Sequence, residues 1–334
     1  MSATGEGGRV VCLGESLVDF VSERPVAELT EATSFAPRFG GSVANIAVGA
    51  ARFGAHTAMV GGAGRDAWGA WLRATLAAQG VDVGMFGLIE GAPTTHTFVA
   101  VSEDGEPDYA FYGSDGRETC IVAAGERLHE TLSARGGGVL VFGSDTLNGA
   151  GEREVTIGAR DRALASGWLV LYDPNLRPVR WSDRDRMLAA ARAALEGVTV
   201  VKTNIDEARA LSGCHEPVAA ARALVAAGPR AAVVTMGGEG LLVVVDEEEP
   251  LVVAPVPARV VDATGAGDSV AGVLAAALAR AEDPGVVPRA AELAARTAAG
   301  VTEAHGALDG LPAAPAARSA LAGALAASPL SPRR

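Results

Sequence analysis

Val260-Val261-Asp262-Ala263-Thr264-Gly265-Ala266-Gly267-Asp268 runs straight into an apolar stretch at 269–281, and the junction reads as a glycine turn feeding a helix. The first N–H groups of a helix have no partner within it, and the helix dipole adds positive charge at the same end, so such a turn stabilises an anion. Gly265 and Gly267 remove the side chains that would block a close approach. Asp268 sets a carboxylate beside that anion hole, a pairing suited to taking a proton from an alcohol while backbone amides hold a transferring phosphoryl group. The plainer alternative is a tight turn with Asp268 stabilised only by the dipole.

Along the rest of the chain, short β-branched runs alternate with alanine-rich helical patterns. The spacing predicts strands at 9–13, 57–60, 139–142, 169–172, 199–202, 232–235 and 241–245. Helices are expected at 42–52, 67–79, 183–195, 205–211 and 218–227. This alternation specifies βαβ units around a mainly parallel sheet covered on both faces, with ligands at the carboxyl ends of the strands. The segment 95–112 breaks the rhythm and reads as a β-hairpin turning at Asp104-Gly105. Together with 18–21 and 34–39 it makes either a small sheet projecting as a flap or an antiparallel edge of the main sheet. The resulting division is one domain over 1–312, its discontinuous β lid at about 15–40 and 93–115, and a helix and tail over 313–334.

The 334 residues carry a formal net charge of −12, which argues against nucleic acid and anionic membranes as partners. Lys202 is the single lysine of the chain. An anionic ligand must therefore be held by arginine, backbone amides, a metal or that one side chain, and a P-loop is excluded because its lysine would have to follow a glycine. The three cysteines, Cys12, Cys120 and Cys214, form no CxxC pair, and the five histidines show no metal-ligand spacing. With no targeting or membrane-spanning segment read from the sequence, a cytoplasmic location is expected.

Five further polar or glycine-rich segments fall at strand ends or helix starts. Gly40-Gly41-Ser42-Val43-Ala44-Asn45 opens a helix; Asn45 offers a donor and an acceptor to a polyhydroxylated ligand, or Ser42 simply caps the helix. Asp173-Pro174-Asn175-Leu176-Arg177-Pro178 ends one strand, either for ligand contacts or as an Asp-stabilised turn. Lys202-Thr203-Asn204-Ile205-Asp206-Glu207 ends the next: Asn204 and Glu207 share a helix face and either position Mg²⁺ through water or serve as cap and dipole-favoured carboxylate. Thr235-Met236-Gly237-Gly238-Glu239-Gly240 exposes backbone after a third strand. Gly62-Ala63-Gly64-Arg65-Asp66-Ala67 matches a GxGxxA dinucleotide fingerprint, although its strand is not the first of the sheet.

In this order the motifs resemble the PfkB, or ribokinase-like, family of carbohydrate and nucleoside kinases, from about Gly14 to Ala307. Asp262 to Asp268 is similar to the family's C-terminal signature, and Gly40-Gly41 with Asn45, followed by Gly64, Asp66 and Gly69, to its N-terminal one. The resemblance implies a three-layer α/β/α sandwich with a mainly parallel central sheet and a small β-sheet lid. It implies Asp268 as catalytic base and Gly265, Ala266 and Gly267 as the anion hole. Lys202 and Asn204, with Thr235, Gly237 and Gly240, would contact ATP. Glu207 would attend Mg²⁺ through water, and Asp262 and Thr264 match positions that bind a monovalent cation, such as K⁺, in several members.

Gly14-Glu15-Ser16-Leu17-Val18-Asp19, Asp173 to Arg177 and Trp181 most resemble fructokinases, which implies Asp19, Gly40, Gly41 and Asn45 on a sugar, with Arg177 closing the site. Related 2-keto-3-deoxygluconate and aminoimidazole riboside kinases share much of this pattern. The sequence departs from the pattern at Ala263, Val270 and Val43, none of which removes a reacting group. A non-catalytic sensor on the same fold and a nucleoside kinase are the competing readings, and the open edge of a flap suggests a homodimer through the lid.

Overall fold

The computed structural model describes residues 8–102, 107–113, 116–134 and 136–327. The chain opens with β1 (Arg9–Leu13), crosses into β2 (Leu17–Ser22) and β3 (Phe35–Gly40), then returns through α1 (Ser42–Arg52) to β4 (His56–Gly64). After α2 (Ala67–Ala78) and β5 (Asp82–Ile89) it crosses a second time into β6 (His96–Val101) and β7 (Pro107–Tyr112). There follow α3 (Gly116–Ser133), β8 (Val139–Gly143), α4 (Ala150–Ala165), β9 (Leu169–Asp173), α5 (Arg184–Ala193) and β10 (Val200–Asn204). The chain continues through α6 (Ile205–Ser212), α7 (Pro217–Ala226), β11 (Ala231–Thr235), β12 (Leu241–Val245) and β13 (Leu251–Val253). Helices α8 (Ala266–Ala281), α9 (Val287–Thr302) and α10 (Ala314–Ala326) complete it.

Among the described residues nine strands form the central sheet in the order β13-β12-β11-β10-β9-β8-β1-β4-β5, with β12 alone reversed relative to the others. Side chains alternate across it. In β1, Val10 and Cys12 join a core shared with α1, α2, α8, α9 and α10, whereas Val11 and Leu13 join one shared with α3 to α7. That two-sided burial explains why the central strands read as unbroken apolar runs.

The remaining four strands form a separate sheet, β3-β2-β6-β7, so the break in rhythm is a lid and not an edge of the main sheet. Asp19, Thr97 and Phe111 stand in register on one of its faces. The expected turn at Asp104-Gly105 lies outside the described residues, as do 328–334 of the tail.

The sequence reading did not anticipate β5, β13, α3, α4 or α9. Strand β4 also runs past the expected 57–60 to Gly64 and absorbs the first half of the GxGxxA match. There the glycines serve packing: a Cβ on Gly62 would strike Cys120 of α3, and one on Gly64 would strike the Ala92 carbonyl. Asp66 caps α2, accepting from Gly69 N at 2.8 Å, and its second oxygen takes Thr94 N at 2.8 Å where the chain enters β6. The motif is a junction between sheet and lid.

Candidate active site

Gly265 adopts a left-handed conformation, φ 78°, immediately before α8, and a Cβ there would collide with Ala307. Asp262 fixes the turn from below, its oxygens accepting Thr264 N and Gly306 N, each at 2.8 Å. Asp268 therefore emerges in the first turn of a helix whose start is pinned to the Gly306-Ala307 segment. Helix α1 reaches it because α1 and α8 cross where a Cβ on Gly272 would lie 3.1 Å from the Gly49 Cα. Ser42 Oγ donates to Asp268 Oδ1 at 2.7 Å, and Asn45 Nδ2 donates to Oδ2 at 2.8 Å.

An ionised carboxylate only accepts, so this pairing fixes the amide's orientation. Asn45 Oδ1 is left buried without a hydrogen-bond partner among the described residues. Ser42, weighed in sequence as a cap, is instead the second grip on Asp268; its i,i+3 spacing from Asn45 was the signal available.

Lys202, on β10, ion-pairs with Asp173 at the end of β9, Nζ to Oδ2 3.0 Å. Burial opposes its charge, but Asp173, Glu207 and Asp268 together hold its pKa above the ordinary value. A Cβ placed on Gly267 would lie 2.7 Å from Nζ, so the single lysine stands against the anion-hole turn. Asn204 and Glu207 form a capping box: Asn204 Oδ1 accepts Glu207 N at 2.8 Å and Glu207 Oε2 accepts Asn204 N at 3.0 Å. Glu207 Oε1 also takes Leu176 N at 2.7 Å, tying α6 to the loop after β9. The structural alternative is thus realised for both residues, while both still line the cavity. Among the described residues no three His, Cys, Asp or Glu side chains gather as a metal cluster.

Asp19 projects from β2 of the lid into the same cavity, and a Cβ on Gly40 would strike its carboxylate. Gly41 has φ 98°, and a Cβ there would lie 2.6 Å from the Glu15 carbonyl. Burial, with the Asp268 charge adding, pushes the Asp19 carboxyl up to about 7; the Thr97 hydroxyl and Arg177 pull the other way. Arg177 stacks 5.7 Å over the Tyr109 ring and Arg180 5.5 Å over Phe111, both rings belonging to β7.

Beneath lies a buried ion network that sequence reasoning missed. Arg117 donates to Asp145 at 2.6 Å and to both oxygens of Glu152 at 2.8 and 2.9 Å, and Asp145 also holds Arg180 at 3.2 Å. Burial raises Glu15 to about 7, with Asp145 adding and Arg117 opposing. These residues come from separate elements with no shared motif, so nothing in the sequence linked them.

These groups surround a cavity of about 480 Å³. Through Thr235, Gly237, Ala263 and Gly267 it adjoins a second cleft of about 640 Å³, walled by Leu241, Pro255, Val256, Val270 and Ala298. Gly237 (φ 56°) and Gly240 (φ 92°) shape the turn after β11, and a Cβ on Gly240 would strike the Val253 carbonyl. A polar cavity ending at a helix N-terminus and an apolar cleft beside it can hold, in line, a hydroxylated acceptor, a phosphate chain and a flat apolar group.

Residues 8–314 match the model of the pfkB family carbohydrate kinases. Fructokinase-2 of Solanum habrochaites is 30% identical over 275 residues, 82% of this chain and 83% of that one. The fold superimposes with a TM-score of 0.81 on a fructokinase double mutant from Vibrio cholerae O395 in its fructose-, ADP- and potassium-bound form, at 26% identity over 94% of this chain and 98% of that one. A TM-score of 0.80 relates it to Salmonella enterica aminoimidazole riboside kinase complexed with aminoimidazole riboside and an ATP analogue, at 25% identity over 94% and 99% of the two chains.

Proposed function

This chain belongs to the pfkB family and is an ATP-dependent carbohydrate kinase, and we propose that its acceptor is fructose. The observation that carries the reading is the sign of the acceptor cavity. Among the described residues six carboxyl groups (Glu15, Asp19, Asp145, Asp206, Glu207 and Asp268), of which burial raises Glu15 and Asp19 to about 7, line it against three cations, Arg177, Arg180 and Lys202. Asn45 Oδ1 adds a further acceptor without a partner. A neutral polyol brings O–H donors to such a wall, whereas a sugar acid would bring another carboxylate.

In this reading Asp268 takes the proton of the acceptor hydroxyl, with Ser42 and Asn45 fixing both its oxygens. Asp19, Gly40, Gly41 and Asn45 hold the sugar, and Arg177 closes the lid over it through Tyr109, excluding water. Lys202 and the Gly265-Ala266-Gly267 turn hold the transferring phosphoryl group. Asn204, Thr235, Gly237 and Gly240 border the rest of the nucleotide. Phosphoryl transfer asks mainly for this positioning and charge neutralisation.

Magnesium, which keeps most of its water and binds largely through phosphate oxygens, fits a site with one carboxylate at its margin and no protein cage. Glu207 is that carboxylate, with one backbone bond on each oxygen and lone pairs remaining for water. When bound, the ion neutralises charge developing on the phosphates. Asp262 and Thr264 are assigned to K⁺ because they stand on the turn that forms the hole. Pairing between lid edges, β3 or β7, is the proposed homodimer contact, and three free cysteines accord with a cytoplasmic location.

A nucleoside-type acceptor is the second reading. The riboside kinase likeness and the Tyr109 and Phe111 rings lining the cavity favour it. The test is ADP release from Mg-ATP with fructose, 2-keto-3-deoxygluconate, ribose, tagatose, adenosine and aminoimidazole riboside, beside an Asp268→Asn control. Fructose-dependent release lost in the control supports the proposal. A preference of about tenfold or more for aminoimidazole riboside in kcat/KM replaces fructose with the second reading.

A further inference from the structure

The apolar cleft offers almost nothing with which to read a nucleobase. Among the described residues lining it, no side chain carries a carboxylate, amide, imidazole, ammonium or guanidinium group. Its two side-chain hydroxyls already point inward: Thr302 donates to the Ala299 carbonyl at 2.8 Å and Thr235 to the Thr203 carbonyl at 3.4 Å. Part of the backbone is similarly engaged, whereas Val256, Ala258 and Val260 lie on a largely exposed stretch. The Thr302 carbonyl accepts both Val261 N and Asp262 N, at 2.7 and 3.1 Å, and the Met236–Gly240 turn closes on itself through Met236 N to Gly240 O at 2.9 Å and Gly240 N to Gly237 O at 3.1 Å. Pro255 and Pro257 have no N–H to give.

We infer that the phosphoryl donor's base is held here mainly by apolar contact, with no charged or amide side chain to select it, so that the enzyme takes GTP and ITP nearly as well as ATP. This rests on the reading of the cleft as the base site, with the phosphates at Gly267 and Lys202. A pocket rejects an analogue strongly when the wrong ligand leaves the pocket's own buried polar groups unpaired; an apolar wall discriminates weakly. Here no carboxylate, amide or cationic side chain waits for the adenine amino group, and the oxo group of hypoxanthine or guanine strands none. The affinity instead comes from removing a purine face from water and from the phosphate end, which is common to all three nucleotides.

The experiment has two arms. In the first, Mg-ATP, Mg-GTP and Mg-ITP displace methylanthraniloyl-ATP from the wild-type protein without acceptor, and their Kd values fall within about tenfold of one another. A preference of about a hundredfold for ATP over ITP overturns the inference. So does failure of all three to displace the probe. Val256→Ala, at a wall residue 36% exposed, weakens all three by the same few-fold factor; a base-selective change, or none, places the base elsewhere.

In the second arm the same nucleotides drive turnover of fructose. Equal binding without fructose turnover sinks the acceptor reading and leaves this one standing. ATP-only turnover despite equal binding overturns the inference as it concerns catalysis.

Discussion

The acceptor cavity and the base cleft share Gly267 yet are built on opposite principles. In the first, ten of the twenty-four described lining residues are ionisable, and several are already committed to a polar or charged partner: Lys202 to Asp173, Arg180 to Asp145, and Asp268 to Ser42 and Asn45. In the second, alanine, valine, proline and glycine supply shape without hydrogen-bond vocabulary. The contrast teaches where specificity can reside. A wall of preorganised polar groups penalises a misplaced hydroxyl and directs a proton, while an apolar wall supplies affinity with little selection.

The sharpest way to separate the two regions is Asp268→Asn. It should cut turnover by about a thousandfold or more while leaving nucleotide Kd nearly unchanged, because the lesion lies wholly on the polar side. Turnover within tenfold of wild type, measured by ADP release, would remove Asp268 as the base.

Gly267→Val strikes the shared boundary, since its side chain must displace the Lys202 ammonium or the phosphoryl group. Both nucleotide affinity and turnover should fall, transfer by about a hundredfold. A change in only one would show that the regions are less continuous than Gly267 implies. Ser42→Ala removes one of two grips on Asp268, and a loss of about tenfold in kcat with sugar KM little changed is expected. Equal loss in both parameters would make Ser42 a substrate contact instead.

The smallest effect is on stability and concerns only the polar side. Asp19 has its carboxyl raised from 3.8 to about 7, so the folded protein binds that proton more tightly than the unfolded chain. Its contribution to stability is therefore present at low pH and lost as pH rises from about 4 through about 7. Asp19→Asn should raise Tm by about 2–4 °C at pH 8 and by less at pH 5. A gain that grows toward acid would reverse the sign and place Asp19 in a favourable ion pair.

Much of the frame was legible because central strands of a parallel sheet are apolar on both faces and end in short polar segments. Strand β5 was harder to read: Gly84 and Gly87 interrupt its run, and Gly87 is there so that Cys120 of α3 can pack against it. Helix α4 was obscured by charges, two of which, Glu152 and Arg160, are buried. Glu152 belongs to the Arg117 network, a partnership 35 residues long that local periodicity does not record.

What the sequence determined by itself is what neighbouring residues decide together: the alternation of strand and helix, the glycine turn before α8, Asp268 in that helix's first turn, and the lysine-poor, acidic balance that ruled out a P-loop. Tertiary structure alone decided which groups meet. It brought Ser42 and Asn45 to the two oxygens of Asp268 across 226 and 223 residues, turned Glu207 and Asn204 onto each other, set Lys202 against Gly267, and stacked two loop arginines on the rings of the lid. A side chain's partner across the fold depends on how closely helices and sheets approach, and that distance is fixed by packing, here by Gly49 against Gly272, rather than by spacing along the chain.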